Sequence, residues 1–432
     1  MIDDRLIKKN MWKWANDLFP VCRSITGEGV RFTLNYIKKI NANLKIYKVK
    51  SGSRYFDWQV PYEWKIKDAY IKKNKKKIIN FKKNNLHVVG YSAPINKKMR
   101  FNELKRNIHI HPKIPDAIPY VTSYYKKTWG FCMSYAQKRN LEKGNELLDV
   151  VIKSKLFKGH LNYGEIIIPG QSKKEVFLST YVCHPSLGNN ELSGPIVTTA
   201  IVKWINSMKN RYYTYRIVFI PETIGSIIYI KKNLFKLKKN VIAAFNITCI
   251  GDNKSYSYLE SKFKKTLTDK VCIKALQTLK LKYKKFNFFE HRGSDERQYS
   301  SPGVDLPFCS LMRTKYGEYK EYHSSKDDLS FISPEGLFGG YNLLKTAIRI
   351  LEINRNYISC NKCEPQFSKR NLKNTFGGSK IEPSYKILSN IIAYADGKTD
   401  LIDLSNMLKK DIFFINDKIQ FLKKMKLIKI HK

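Results

Sequence analysis

Residues 176–182, Val-Phe-Leu-Ser-Thr-Tyr-Val, form an apolar and β-branched run without a charged position. Its length suits a strand, and its lack of alternation suits one buried on both faces of a sheet. Such a strand needs helices above and below it, which constrains the chain around it. The segment from about 160 to 360 meets that need by alternating the two patterns. Strands are predicted at 164–168, 176–182, 215–220, 241–249 and 306–312, and amphipathic helices at 195–208, 226–234, 263–280 and 334–353. The fold class is therefore α/β, a mixed or parallel sheet with helices on both faces. The central strand delivers His184 at its carboxyl end, where ligands collect in open α/β sheets. A turn with Pro185, Gly188, Asn189 and Asn190 follows, and Glu191 precedes the small-residue helix start Ser193-Gly194-Pro195. Histidine and carboxylate together suit zinc. A buried, hydrogen-bonded histidine at a strand end is the alternative.

The flanks differ in character. Residues 1–45 carry helical periodicity, broken at 22–29 by C-R-S-I-T-G-E-G. That break is either a plain helix connection or a loop bringing Arg23 and Ser24 to the active site. Residues 46–159 hold short β-type runs between turn residues, dense in Tyr and Trp, and read as a β-rich inserted domain. His87, His109 and His111 fall there and read as ordinary strand or surface histidines. Together with the insert's flanks, 1–45 and 160–360 make the α/β domain. Residues 361–380 are polar, with Gly, Ser and Pro, and read as a linker. Within 381–432, helices at 385–395, 401–408 and 415–424 and a closing L-I-K-I make a winged-helix pattern. Lys418, Gln420, Lys423 and Lys424 on its third helix form no base-reading set, so a packing or protein-contact module is the expectation.

Composition narrows the function classes. Hydrophobic residues make up 43% and aromatics 13%, which describes a globular chain and excludes a disordered one. No stretch reaches the roughly 18 apolar residues of a membrane span. The first residues, M-I-D-D-R-L-I-K-K-N, carry acids where a signal peptide is basic and then apolar, so the expectation is a cytoplasmic protein. Eight cysteines show no framework spacing, and Cys360-x-x-Cys363 has no second pair beside it for a zinc knuckle. The net charge of +44 is spread over the chain. Only Lys72–Lys77 is dense, and between two strand-like segments it reads as a solvated hairpin tip. Specific nucleic-acid binding is not expected; a general attraction for anionic substrates is.

Four more segments put polar groups at strand ends. I-V-F-I-P-E-T-I-G-S carries Glu222, and F-N-I-T-C-I-G-D carries Thr248 and Asp252. H-R-G-S-D-E-R-Q-Y gathers Arg292, Ser294, Asp295, Glu296 and Arg297, and K-Y-G-E-Y-K-E-Y-H-S-S-K-D-D carries His323 and Asp327. Glu222 could simply cap the helix after it, and the Arg/Asp/Glu loop could be a surface ion-pair cluster. Together, two histidines and one carboxylate match a catalytic zinc with an open position, whose water a nearby carboxylate can deprotonate.

The order His, N-x-L-S-G, Glu after a strand, S-D-x, Y-H-S-x-x-D resembles the zinc aminopeptidases of the bacterial leucine-aminopeptidase and glutamate-carboxypeptidase type. C-H-P-S-L-G-N-N-E-L-S-G-P, I-P-E-T-I-G-S, T-C-I-G-D, R-G-S-D-E-R-Q-Y and K-Y-G-E-Y-K-E-Y-H resemble one aminopeptidase-like branch, often encoded among surface-polysaccharide biosynthesis genes. W-Q-V-P-Y-E-W-K-I-K-D-A-Y-I, L-H-V-V-G-Y-S, I-P-Y-V-T-S-Y-Y and the winged helix extend the likeness over nearly the whole chain. The resemblance implies a zinc-peptidase-like mixed sheet with helices on both faces, a β-rich insert and a C-terminal winged helix. It implies metal ligation by His184 and His323 and a general-base role for Glu222. The chain departs from the pattern where Thr223, Thr248 and Asn190 stand for metal-binding acids, so a two-metal site is not expected. One zinc ion held by His184, His323 and either Glu191 or the Asn190 oxygen is. Arg292, Ser294, Asp295 and Glu296 are then expected to bind substrate, and Asp327 to orient a ligand histidine. Two functions follow from different classes. One is a mononuclear zinc-dependent hydrolase of amide bonds in a peptide or acylated amino sugar, acting in surface-polysaccharide biosynthesis. The other is a non-catalytic binding or scaffold protein on the peptidase fold. Either is compatible with a homo-oligomer.

Overall fold

The computed structural model describes residues 3–370, 372 and 383–431. Residues 371 and 373–380 of the expected linker, and 381 and 382 of the expected winged-helix segment, lie outside the described residues. The chain packs as two compact units, Met1–Asp269 with Lys282–Leu344, and Lys270–Leu281 with Lys345–Lys432.

The first unit is built on an eight-stranded mixed sheet. Its strands are β1 (Lys45–Lys50), β2 (His160–Ile168), β3 (Glu175–Tyr181), β4 (Thr214–Ile220), β5 (Val241–Asn246), β6 (Ser257–Leu259), β7 (Lys284–Phe286) and β8 (Phe308–Met312). In space they run β1-β2-β4-β3-β5-β8-β6-β7. The centre, β4-β3-β5-β8, is parallel, and antiparallel pairings flank it at β2-β4 and β8-β6. Every residue of β3 is buried. That follows from the unbroken apolar run, since burying each such side chain contributes about 1.5–3 kcal/mol. The first helices are α1 (Asp4–Leu18) and α2 (Glu28–Ile40), and α3 (Ser193–Ser207) and α4 (Ile224–Asn240) follow β3 and β4. The strand expected at 241–249 ends at Asn246, because Cys249 takes φ 47 and the chain turns there.

The segment 46–159 lies within the first unit, and its opening residues join the large sheet: β1 pairs antiparallel with β2 from Lys45↔Glu165 to Lys50↔His160. Its own sheet is four antiparallel strands in the order Lys76–Asn80, Glu63–Lys73, Leu148–Phe157, Ile95–Met99. The lysine run is the tip of a hairpin there, turning at Asn74 and Lys75 with φ 49 and 63. L-H-V-V-G-Y-S and I-P-Y-V-T-S-Y-Y do not form strands. They pair only through single bridges such as Gly90↔Thr122 and Pro119↔Ser324. A proline offers no amide to a ladder, and the second of these loops is thereby free to reach the end of β3.

The second unit has helices Pro383–Ala393, Leu401–Met407 and Ile412–Lys424 and a three-stranded antiparallel sheet of Asn356–Ser359, Asp396–Asp400 and Ile428–Ile430. The A-D-G-K segment between the first two of these helices contributes to one of those strands, Asp396–Asp400. This is a winged-helix arrangement. No helix among the described residues is long and apolar enough to cross a membrane.

Candidate active site

The site is assembled where β3 and β4 end. After β3 the chain forms a π-type turn, Gly188–Leu192, running straight into α3. Such turns concentrate at functional positions. This turn is wholly buried and is fixed from outside by Asp327, whose carboxylate accepts the amides of Asn189 (2.6 Å) and Asn190 (3.0 Å) and the Tyr319 hydroxyl (3.0 Å). Burial pushes the Asp327 carboxyl up to about 7 against the pull of those donors. Its hydrogen bonds serve the turn that carries Asn190 and Glu191, not the imidazole of His323.

Glu191 sits at the centre. Its Oε2 accepts the His184 amide at 2.9 Å, the Cys183 amide at 3.3 Å and His184 Nδ1 at 3.1 Å. Its Oε1 lies 3.1 Å from Arg23 Nε, and neither side chain has any exposure. The Nε hydrogen itself points to the His184 carbonyl (2.9 Å), and Nη1 donates to the Leu18 carbonyl (2.8 Å). The contact with Glu191 is therefore an ion pair without an aligned hydrogen bond. Glu191 Oε1, Arg23 Nη2 and Asn190 Oδ1 are all buried without a hydrogen-bond partner. Of the two readings of residues 22–29, the structure supports the loop that reaches the site: Arg23 is brought beneath His184, while Ser24 Oγ bonds the Thr26 carbonyl.

With Nδ1 held by Glu191, His184 turns Nε2 toward Glu222, 3.6 Å from Oε2. Burial works against a charge on His184, but the hydrogen bond to Glu191 and the charges of Glu222 and Glu191 outweigh it and raise its pKa. Burial also raises Glu222, with His184 and Ser294 pulling the other way; Ser294 Oγ donates to Glu222 Oε1 at 2.7 Å. His323 faces His184 with ring centroids 5.9 Å apart, and Tyr120 sets its edge against both rings at 5.1 Å. Burial and the neighbouring His184 hold His323 down to about 3, so its imidazole is neutral. Thr223, Cys249 and His323 all have φ between 47 and 65, a costly region for side chains other than Gly, and such strain gathers at functional sites.

A pocket of about 340 Å³ opens over His184, Glu222 and His323, walled by Tyr120, Tyr124 and Arg297. Of the residues expected at substrate, Arg292 does not line this pocket: its guanidinium bonds the Phe289 carbonyl, and it borders a neighbouring cavity with Phe288 that shares only Arg297 with the pocket. Asp295 instead anchors the loop after β4, accepting the Thr223 amide and Ser226 Oγ, each at 2.8 Å. Burial and the charge of Glu222 push it up to about 8. Glu296 fastens its own loop through the amides of Gly293 (2.7 Å) and Ser294 (3.0 Å), Tyr316 and Asn246. Arg297 enters the pocket, held by Nη2 on Thr223 Oγ1 at 2.9 Å. Thr248 bonds the Tyr181 hydroxyl, and Asp252 receives Asn189, Thr314 and Lys254. Tyr120, Tyr124 and Cys183 went unremarked in the sequence. The tyrosine density of 118–125 was the signal for the first two, and nothing distinguished Cys183.

An aminopeptidase-like α/β domain followed by a winged helix is the class these features define. Residues 12–354 match the family described as a domain of unknown function, DUF4910, and residues 355–430 match the winged helix-turn-helix family. The chain belongs to this DUF4910 family. A relative from Clostridium acetobutylicum, "Putative polysaccharide biosynthesis protein with aminopeptidase-like domain", is 44% identical over 398 residues, 91% of this chain and 90% of the relative. The crystal structure of a "putative peptidase" from Clostridium acetobutylicum superposes with TM-score 0.92 at 40% identity, covering 99% of this chain and 97% of that one. The zinc aminopeptidase BSAP from Bacillus subtilis shares the fold with TM-score 0.57 at 12% identity, over 81% of this chain and 95% of that one.

Proposed function

We propose that this chain is a one-zinc hydrolase of amide bonds, acting on a peptide or an acylated amino sugar in surface-polysaccharide biosynthesis. The carrying observation is the bond from His184 Nδ1 to Glu191, which leaves Nε2 free beside Glu222 and opposite a neutral His323. A carboxylate on the far nitrogen is the usual support of a metal-bound histidine. His184 Nε2 and His323 would hold the ion, and the buried Asn190 Oδ1, without a hydrogen-bond partner, would be the third protein ligand; Cys183 Sγ and a Glu191 oxygen also lie within 4.8 Å of a His184 ring nitrogen. Glu191, already against Arg23 and two amides, serves as the support and not as the third ligand. A second ion does not fit, because Thr223 and Thr248 are engaged by Arg297 and Tyr181 and the Arg23 guanidinium supplies the positive charge. When bound, zinc polarises a carbonyl and lowers the pKa of water.

The chain's own groups do the rest. Glu222, raised by burial and steadied at Oε1 by Ser294, is suited to take and return a proton at Oε2. Arg297 at the pocket wall can grip a substrate carboxylate in two-point fashion, and Tyr120 and Tyr124 exclude water. Asp295 and Glu296 hold the loops that carry Glu222 and Ser294.

Metal content by mass spectrometry after zinc loading and dialysis tests this. About one zinc per chain is expected, lost in His184→Ala and His323→Ala and retained in Glu191→Ala with weaker affinity. Two ions, or none in the wild type, would sink the reading. The engaged threonines favour the non-catalytic scaffold as the second reading. Stoichiometric zinc with no Glu222-dependent turnover across an amide panel would support that one instead.

A further inference from the structure

A cavity of about 640 Å³ beside the candidate site lies on the β-rich insert. It adjoins the catalytic pocket, for Tyr124 and Tyr125 line both. Four of its sixteen lining residues are tyrosines, Tyr62, Tyr91, Tyr124 and Tyr125, in a chain where 27 of 432 residues are tyrosine. Two of the four stand well clear of the core: Tyr62 is 51% and Tyr125 56% exposed. The Tyr125 ring is braced in place, its hydroxyl on the Gln59 carbonyl at 3.0 Å and its edge against Trp58 at 5.9 Å. Exposed aromatic rings fixed by local contacts, with hydroxyls at their rims, are expensive to leave in water unless something lies on them.

The charge around the rings is one-sided. Lys126, Lys127 and Lys155 line the cavity and no carboxylate does. None of the three lysines forms an ion pair among the described residues. Lysines are common in this chain, so their presence alone says little; the tyrosine walls carry the assignment and the missing acids give it a sign.

We propose that this cavity is a carbohydrate subsite, seating a sugar of the substrate beyond the scissile amide and favouring a carboxylated one. A pyranose ring presents an apolar C–H face, which lies on an exposed ring such as Tyr62 or Tyr125, and equatorial hydroxyls and a carboxylate at its edge, which meet the lysine ammoniums. The volume suits a ligand of two to three rings, within the few hundred to 1,000 Å³ of small-molecule sites. The shared Tyr124 and Tyr125 run it into the pocket over His184 and Glu222. The inference rests on the hydrolase reading for the direction of the substrate, and its test does not.

Isothermal titration of the full chain with α-1,4-trigalacturonate, maltotriose and triglutamate measures binding with no turnover. Trigalacturonate is expected to bind at least tenfold tighter than either of the others. Tyr62→Ala/Tyr125→Ala, at exposed positions that leave the core intact, is expected to weaken it at least tenfold. Lys126→Ser/Lys127→Ser/Lys155→Ser is expected to bring trigalacturonate and maltotriose within about twofold of each other. Triglutamate binding as tightly as trigalacturonate would overturn the proposal in favour of an acidic peptide, and no sugar binding, or binding indifferent to the tyrosine changes, would overturn it outright. Sugar binding by a chain that takes up no zinc would leave the subsite standing and remove the hydrolase reading. Zinc uptake and amide turnover without sugar binding would do the reverse.

Discussion

Replacing Arg23 with methionine asks how much the buried ion pair beneath His184 matters. Both side chains of the Arg23–Glu191 pair are wholly inaccessible, with Nε 3.1 Å from Oε1. Removing one member leaves the other charge buried without its partner, which costs about 3–5 kcal/mol. The carbonyls of Leu18 and His184 also lose their donors, at 2.8 and 2.9 Å, at about 1 kcal/mol apiece. Arg23→Met is therefore expected to lose about 5–7 kcal/mol. Much of that returns in Arg23→Met/Glu191→Gln, where no unpaired charge is left and the amide oxygen can still accept the Cys183 and His184 amides. Urea midpoints of wild type, both single variants and the double close the cycle, and a coupling of at least about 2 kcal/mol is expected. An Arg23→Met variant within about 1 kcal/mol of wild type, or a double variant no more stable than that single one, would refute the claim that the pair neutralises the floor of the site.

Two further outcomes follow from the same geometry. Glu191→Gln keeps a side chain beside His184 Nδ1 but removes the charge, so zinc affinity measured against a chelator is expected to fall about 10–100-fold, well short of the complete loss in His184→Ala. Asp295 has its folded pKa raised to about 8 from an ordinary 3.8, so the folded state holds a proton that the unfolded state has released across that window. Wild-type stability therefore falls as pH rises from about 4 through 8. Asp295→Asn keeps an oxygen for the Thr223 amide and Ser226 Oγ, so it is expected to match wild type near pH 4 and exceed it at pH 9. A variant that is equally penalised at both values would contradict this.

Much of the architecture is local enough to read from order and period. A strand covered on both faces is mostly apolar, so β3, β4 and β8 stand out as runs, the buried Glu175 and Arg216 being paired with each other, and helices such as Pro334–Ile353 show their apolar stripe. His184 and Glu222 were legible because a polar group directly after a buried strand has few places to go, whereas His323, eleven residues past the end of β8, was legible only from its motif. The loops of the insert misled because aromatic, β-branched runs resemble strands whether or not they find a partner. In 86–92 and 118–125 they find only single bridges.

The sequence alone determined the α/β core and the winged helix, since these depend on hydrophobic period, and it singled out His184, Glu222 and His323 as candidates through motifs that resemble those of the zinc aminopeptidases. Tertiary structure alone decided what each polar group is for. Arg23 meets the His184 carbonyl across 161 residues, Tyr120 packs its edge against both histidines, and Asp295 Oδ1, Glu296 and Asp327 accept hydrogen bonds from the amides and side chains of neighbouring loops. A carboxylate's residue type says that it will find donors when buried. Which donors they are is set by the surfaces that the folded core brings together, and no spacing along the chain encodes that.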